Sequence, residues 1–219
     1  MGTRAEPAKS VREHEREWWA NTLAMLSRPR SVFEALRDDM SEEGVAARQE
    51  PLLAVIWLAG MAGVLLTTAA AHLLDNWDVD GLVLAVWVFV AGGIYGAAGY
   101  WLAGGAVYAG LKGAESPALS YRRSRHVLGL AAVPLALSLV VWPVRLAVYG
   151  SDLFKSGGSD SGGGDVAFRV VLLAFAAWAI GLLVLGIRTT EGWSWRRSLA
   201  AVVLAAALLA LFGAIPIVL

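Results

Sequence analysis

Residues 166–187 read VAFRVVLLAFAAWAIGLLVLGI, an apolar run broken by a single charge, Arg169. Crossing the roughly 30 Å of hydrocarbon in a bilayer takes about 20 apolar residues in a helix. The run has no polar–apolar alternation, so it predicts a spanning helix rather than a barrel strand. Four further runs of this kind occur at 51–74, 82–111, 127–149 and 199–219. The chain reads as an all-α integral membrane bundle of about five transmembrane helices.

Composition agrees. Of the 219 residues 58% are hydrophobic and 16% charged, against about 25% charged in an ordinary soluble domain. The formal net charge is zero, so no global field recruits nucleic acid. Cysteine is absent, which excludes disulfides, thiolate metal sites and a cysteine nucleophile. There are ten tryptophans, a residue suited to the layer between water and hydrocarbon.

Charge between the runs gives an orientation. Fifteen of the eighteen Lys and Arg lie in residues 1–50, 112–126 and 188–197. The segment 75–80 has none and carries three Asp, and 150–165 has one Lys. The positive-inside rule places the basic segments in the cytoplasm. Five spans then predict an N-terminus inside and a C-terminus outside. The Gly/Ser-rich stretch 156–164 reads as a flexible outer loop. Two units follow, a cytoplasmic tail with amphipathic helices over 1–50 and a membrane domain over 51–219.

The tail opens with a polar stretch over 1–17 and lacks the early apolar core of a signal peptide. Residues 17–26 place Trp18, Trp19, Leu23 and Leu26 near one helical face. The stretch 31–34, SVFE, matches a capping box, in which Ser31 and Glu34 would cover exposed N–H groups. A second short helix would follow with Val32, Phe33 and Leu36. These features predict an interfacial amphipathic segment, with Trp18, Trp19 and Phe33 in the headgroup layer. The competing reading is a helix packed on the protein's own inner face.

Chemistry-bearing residues are few. His14, His72 and His126 share no ligand spacing, and a metal site needs three or four converging ligands. Glu42-Glu43 with Arg48 resembles the paired-glutamate motif of membrane-embedded prenyl-processing proteases. The pair lies outside the apolar runs and no histidine accompanies it, so it reads as a solvated charged linker. No nucleophile elbow, P-loop or dinucleotide fingerprint occurs. Neither an enzyme nor a cofactor is expected.

Arg145 and Arg169 are the clear charges inside apolar runs, both toward the outer face. They either snorkel to water or bind a lipid phosphate or other anion. The second run holds Gly92, Gly93, Gly96, Gly99, Gly104 and Gly105, and such small residues let backbones approach. They serve packing within the subunit, or contact with a partner or a second copy. Pro134 and Pro143 remove backbone donors and predict kinks.

Three stretches carry a family resemblance: SRPRSVFEAL at 27–36; GLKG at 110–113 with SYRR at 120–123 and the apolar segment 127–134; and GIRTTEGWSWRRSLA at 186–200. In this order they resemble the Yip domain family, named for Ypt-interacting proteins, from about Ala24 onward. The resemblance implies a five-span membrane protein with its N-terminus inside. The short tail departs from eukaryotic members, whose longer tails engage small GTPases, and the Arg/Ala/Gly-rich composition looks bacterial. What it implies is a non-enzymatic scaffold or accessory subunit in a bacterial cytoplasmic membrane. Its partners would be the lipid bilayer and another membrane protein, such as an ABC-type exporter, or a homo-oligomer. The alternative is a small transporter, channel or lipid-handling protein, for which Thr67, Thr68, Ser138, Arg145 and Arg169 are the few polar residues available.

Overall fold

The computed structural model describes residues 11–39, 41–67, 70, 73–75, 80–116, 120–155 and 163–218. Thr68, His72 and the Gly/Ser stretch 156–162 lie outside the described residues. The described residues are helical, with no strand among them. Two short helices come first, α1 (Val11–Ala24) and α2 (Pro29–Asp38). The long helices are α3 (Glu42–Leu65), α4 (Gly81–Gly113), α8 (Gly163–Glu191) and α9 (Trp195–Val218). Between α4 and α8 lies a broken rod of α5 (Tyr121–Ala131), α6 (Val133–Leu137) and α7 (Val141–Tyr149).

Among the described residues, three segments are long and apolar enough to cross a membrane: Gly81–Gly113, Tyr121–Phe154 and Asp165–Glu191. Most of their apolar surface is exposed; Leu82, Ile94, Leu102 and Leu173 all stand outward. Water would penalise such a surface, whereas hydrocarbon does not. This is an integral membrane fold.

Helix starts follow local chemistry. Ser41 accepts from the Gly44 N–H at 3.1 Å to open α3. Asp80 accepts from the Val83 N–H at 2.8 Å to open α4, and Ser120 accepts from the Arg123 N–H at 3.4 Å to open α5. The capping box expected at Ser31 does not form. Pro29, which needs no N–H partner at a helix start, begins α2 two residues earlier. Ser31 is therefore already helical and donates back to the Arg28 carbonyl at 2.8 Å. Glu34 pairs with Arg30 at 2.9 Å instead.

One boundary also moves. α3 is continuous from Glu42 through Pro51, so the division placed at residue 50 falls inside a helix. The stretch expected to be a solvated linker is the helix's first two turns, and Arg48 there is buried. α3 itself ends at Leu65, where the Thr67 hydroxyl donates to the Val64 carbonyl at 2.6 Å.

α3 and α4 form the closest helix pair. A Cβ added at Gly60 would sit 2.6 Å from the Gly96 Cα, and one at Gly93 would sit 2.6 Å from the Trp57 ring. Gly92 lies against Met61, and Gly96 against the Ile56 carbonyl. The Trp57 Nε1–H donates to the Phe89 carbonyl at 3.0 Å across the same seam. α4 meets α9 farther along, where Gly110 lies against the Ala201 carbonyl and a Cβ added there would sit 3.2 Å from the Ala205 Cβ.

Candidate functional site at the basic end of the bundle

The main core gathers at the end of the bundle that holds α1 and α2. Its centre is Phe33, which has no exposed surface. A Cβ at Gly186 would lie 2.7 Å from the Phe33 ring and 2.8 Å from Val127 Cγ1. Phe33, Val127 and Gly186 belong to the three separate stretches that carry the family resemblance. The fold joins those stretches at other points as well. Ser116 donates to the Glu191 carboxylate. Arg197 donates to the Ala114 carbonyl at 2.6 Å and to the Glu115 carbonyl at 3.1 Å, while its guanidinium lies 4.1 Å from the Trp193 ring.

Arg48 anchors the N-terminal helices. It is fully buried, its Nη1 donates to the Asp39 carbonyl at 2.6 Å, and it meets the Asp39 carboxylate at 3.3 Å. Its guanidinium lies 4.6 Å from the centre of the Trp18 ring. Stacking a cation on an indole face contributes about 0.5–2 kcal/mol, more as water is removed. Burial lowers the proton affinity of Arg48 and the neighbouring Asp39 partly restores it; the side chain precedes the apolar run.

This geometry corrects the interfacial expectation for two of its three residues. Trp18 is 3% exposed and Phe33 fully covered, so protein rather than headgroups surrounds them. α1 and α2 pack on the body because Arg48 and Gly186 provide the surfaces those rings fit. Trp19 remains exposed, together with Leu23 at 71% and Leu26.

A second aromatic–cation assembly stands beside the first. The Arg125 guanidinium lies 3.8 Å from the Trp101 ring centre, 4.8 Å from Tyr121 and 5.4 Å from Tyr100. The Tyr121 hydroxyl donates to the Trp101 carbonyl at 3.0 Å, which holds two of these rings together. Gly104 makes room for the Arg125 stem. His126, expected in a basic loop, lies on helix α5 and is buried. Ser120 starts that helix earlier than the charge pattern implied.

At the other end of the bundle Arg145 and Arg169 converge on one carboxylate. Arg145 meets Asp165 at 2.8 Å and Arg169 meets it at 2.6 Å. Asp165 and Arg145 are largely buried, whereas Arg169 is 75% exposed on its side chain. The Arg145 guanidinium also lies 5.2 Å from the Trp142 ring. Sequence reading missed Asp165 as the shared partner, although its place four residues before Arg169 is the spacing of a helical ion pair.

The glycines divide. Gly92, Gly93, Gly96 and Gly104 face neighbouring parts of the same chain, and a Cβ at Gly105 would find only Tyr121, at 3.9 Å. A Cβ at Gly99 would meet nothing within 4 Å. Pro134 stands in the first turn of α6, just after the break at Ala132. Pro143 stands in the first turn of α7, after the tighter turn Ser138–Val140. No group of three His, Cys, Asp or Glu among the described residues could hold a metal ion.

The fold and its basic end define an all-helical, multi-pass membrane protein. The chain belongs to the Yip1 domain family, whose model matches residues 23–216. That family is generally non-catalytic. Comparison with curated proteins and with solved structures gave no match.

Proposed function

We propose that this protein is a non-enzymatic membrane scaffold or accessory subunit that acts through other membrane proteins. In this reading five spans cross a bacterial cytoplasmic membrane, with residues 1–50 and the basic loops inside and the C-terminus outside. The observation that carries it is α1. One face of this helix is locked to the body by Trp18 and Thr22, with Met25 buried just past its end, while Trp19 and Leu23 on the other face, and Leu26 beyond it, stand uncovered. Holding an apolar face in a fixed pose reduces the ordering cost of association. The arginines around it, Arg28 and Arg30, suit a contact at the cytoplasmic rim of another membrane protein. An ABC-type exporter is the partner class that the resemblance implies.

A photo-crosslinking residue at position 23 tests this in intact membranes. A discrete adduct with another membrane protein is the expected result, and its loss in Trp19→Ala would tie it to the same face. Adducts with lipid alone would defeat the scaffold reading. Gentle affinity purification should recover the same partner, and should lose it in Leu23→Glu. Leu23 is so exposed that this change costs less than about 0.5 kcal/mol of stability.

A further inference from the structure

A cleft of about 510 Å³ opens beside the Arg125 assembly, between α3, α4 and α5. Arg122, Arg125, His126 and Gln49 present polar groups to it, and Glu42 is the one carboxylate among the described residues lining it. Three rings surround the Arg125 guanidinium. Its Nε is buried and has no hydrogen-bond partner among the described residues. His126 is 6% exposed, lines the cleft, and its Nδ1 also lacks a partner. The charges acting on that imidazole are Arg48, Arg125 and Arg122. Leaving a buried polar group unpaired costs about 1–3 kcal/mol. Two arginines against one carboxylate give the cleft a net positive lining that suits an anion.

The cleft has an apolar neighbour. Ile56 and Tyr100 also line a second cavity of about 200 Å³, whose lining residues carry no charge. Its walls include Gly60, Gly99, Gly129 and Leu135. Gly99 faces open space, and a chain could lie along the glycine-lined wall. The two cavities share Ile56 and Tyr100 in their walls, so a cationic, donor-rich mouth lies beside an apolar slot. Free phosphate matches only the mouth, and a neutral apolar molecule matches only the slot.

We propose that this groove binds an anionic phospholipid, with its phosphate at Arg122, Arg125 and His126 and an acyl chain in the slot past Gly99. The basic end of the bundle places the mouth at the depth of a headgroup layer. Zwitterionic lipid binds more weakly, because its ammonium group enters the same cationic mouth.

The test uses the full chain in mild detergent with phosphatidylglycerol, phosphatidylcholine or inorganic phosphate as probe, read by native mass spectrometry and by thermal unfolding. Phosphatidylglycerol should be retained about tenfold better than phosphatidylcholine. Arg122→Gln and Gly99→Leu should each lower that retention about tenfold, the worth of one charged hydrogen bond or of a blocked chain. Both variants should unfold like the parent without lipid, because Arg122 is exposed and Gly99 meets nothing. Equal retention of the two lipids would overturn the proposal, as would unchanged retention in both variants. Loss in Arg122→Gln alone, with inorganic phosphate competing, would make this a free-anion site and overturn the lipid assignment. Loss in Gly99→Leu alone would remove the headgroup from it.

Discussion

Arg48 shows how much one buried side chain can organise. Its guanidinium joins the Asp39 backbone, the Asp39 carboxylate and the Trp18 face. Removing it strips three contacts to two segments, so Arg48→Ala should cost about 3 kcal/mol. Asp39→Asn should cost less than about 1 kcal/mol, because the carboxylate is part-exposed and the Asp39 carbonyl still accepts. Thermal unfolding followed by tryptophan fluorescence checks both, and equal losses would contradict the central place given to the backbone bond. The Asp165 pairs make a parallel case. Arg145→Ala removes the buried partner and should destabilise by about 2 kcal/mol, whereas Arg169→Ala removes an exposed one and should change stability by less than about 0.5 kcal/mol. The same unfolding measurement separates them. Neither Asp39 nor Asp165 was legible as an arginine partner from composition. Of the two, only Asp165 lies at helical spacing from its partner.

At the scale of elements, the contrast lies between glycines on one helix. Gly96 lies against the Ile56 carbonyl in the α3–α4 seam, whereas Gly99 faces open space. Gly96→Leu should therefore overpack the seam and cost at least about 1–3 kcal/mol. Gly99→Leu should be neutral or raise stability by up to about 1 kcal/mol, since leucine is the better helix former. A lowered unfolding temperature for Gly96→Leu and no lowering for Gly99→Leu is the expected outcome; destabilisation by both would mean that the Gly99 face is also packed. The sequence pattern showed a glycine-rich helix made for close approach. It did not show which glycines were already in use, because that depends on the crossing point with α3. The broken rod of α5, α6 and α7 has the same division. Pro134 and Pro143 were visible, but their positions in the first turns of α6 and α7 came from the fold.

For the whole molecule, orientation carries the largest consequence. The chain contains no cysteine, so single cysteines can be introduced without background. With five spans and the basic segments inside, Ser27→Cys and Ser194→Cys should resist a membrane-impermeant maleimide in intact cells and react after lysis. Ser151→Cys should react from outside. Labelling of Ser194→Cys in intact cells would invert the topology or change the span count. The test also bears on the α1 face and the lipid groove, both of which belong to the basic end.

The sequence by itself determined the solvent. Long runs without alternation leave no way to satisfy the backbone except helices, and their exposed apolar surface needs hydrocarbon. It also marked the three family-like stretches, because their residue types stand in the linear order. Only the tertiary structure decided that those stretches meet at Phe33, that Trp18 stacks on Arg48, and that Arg125 sits among three rings. Periodicity reports which face of a helix is apolar, but not what covers that face. The cover comes from residues distant in sequence, such as Gly186 over Phe33, whose spacing no local pattern encodes. For that reason Trp18 and Phe33 looked alike with Trp19 in the sequence and part company in the fold.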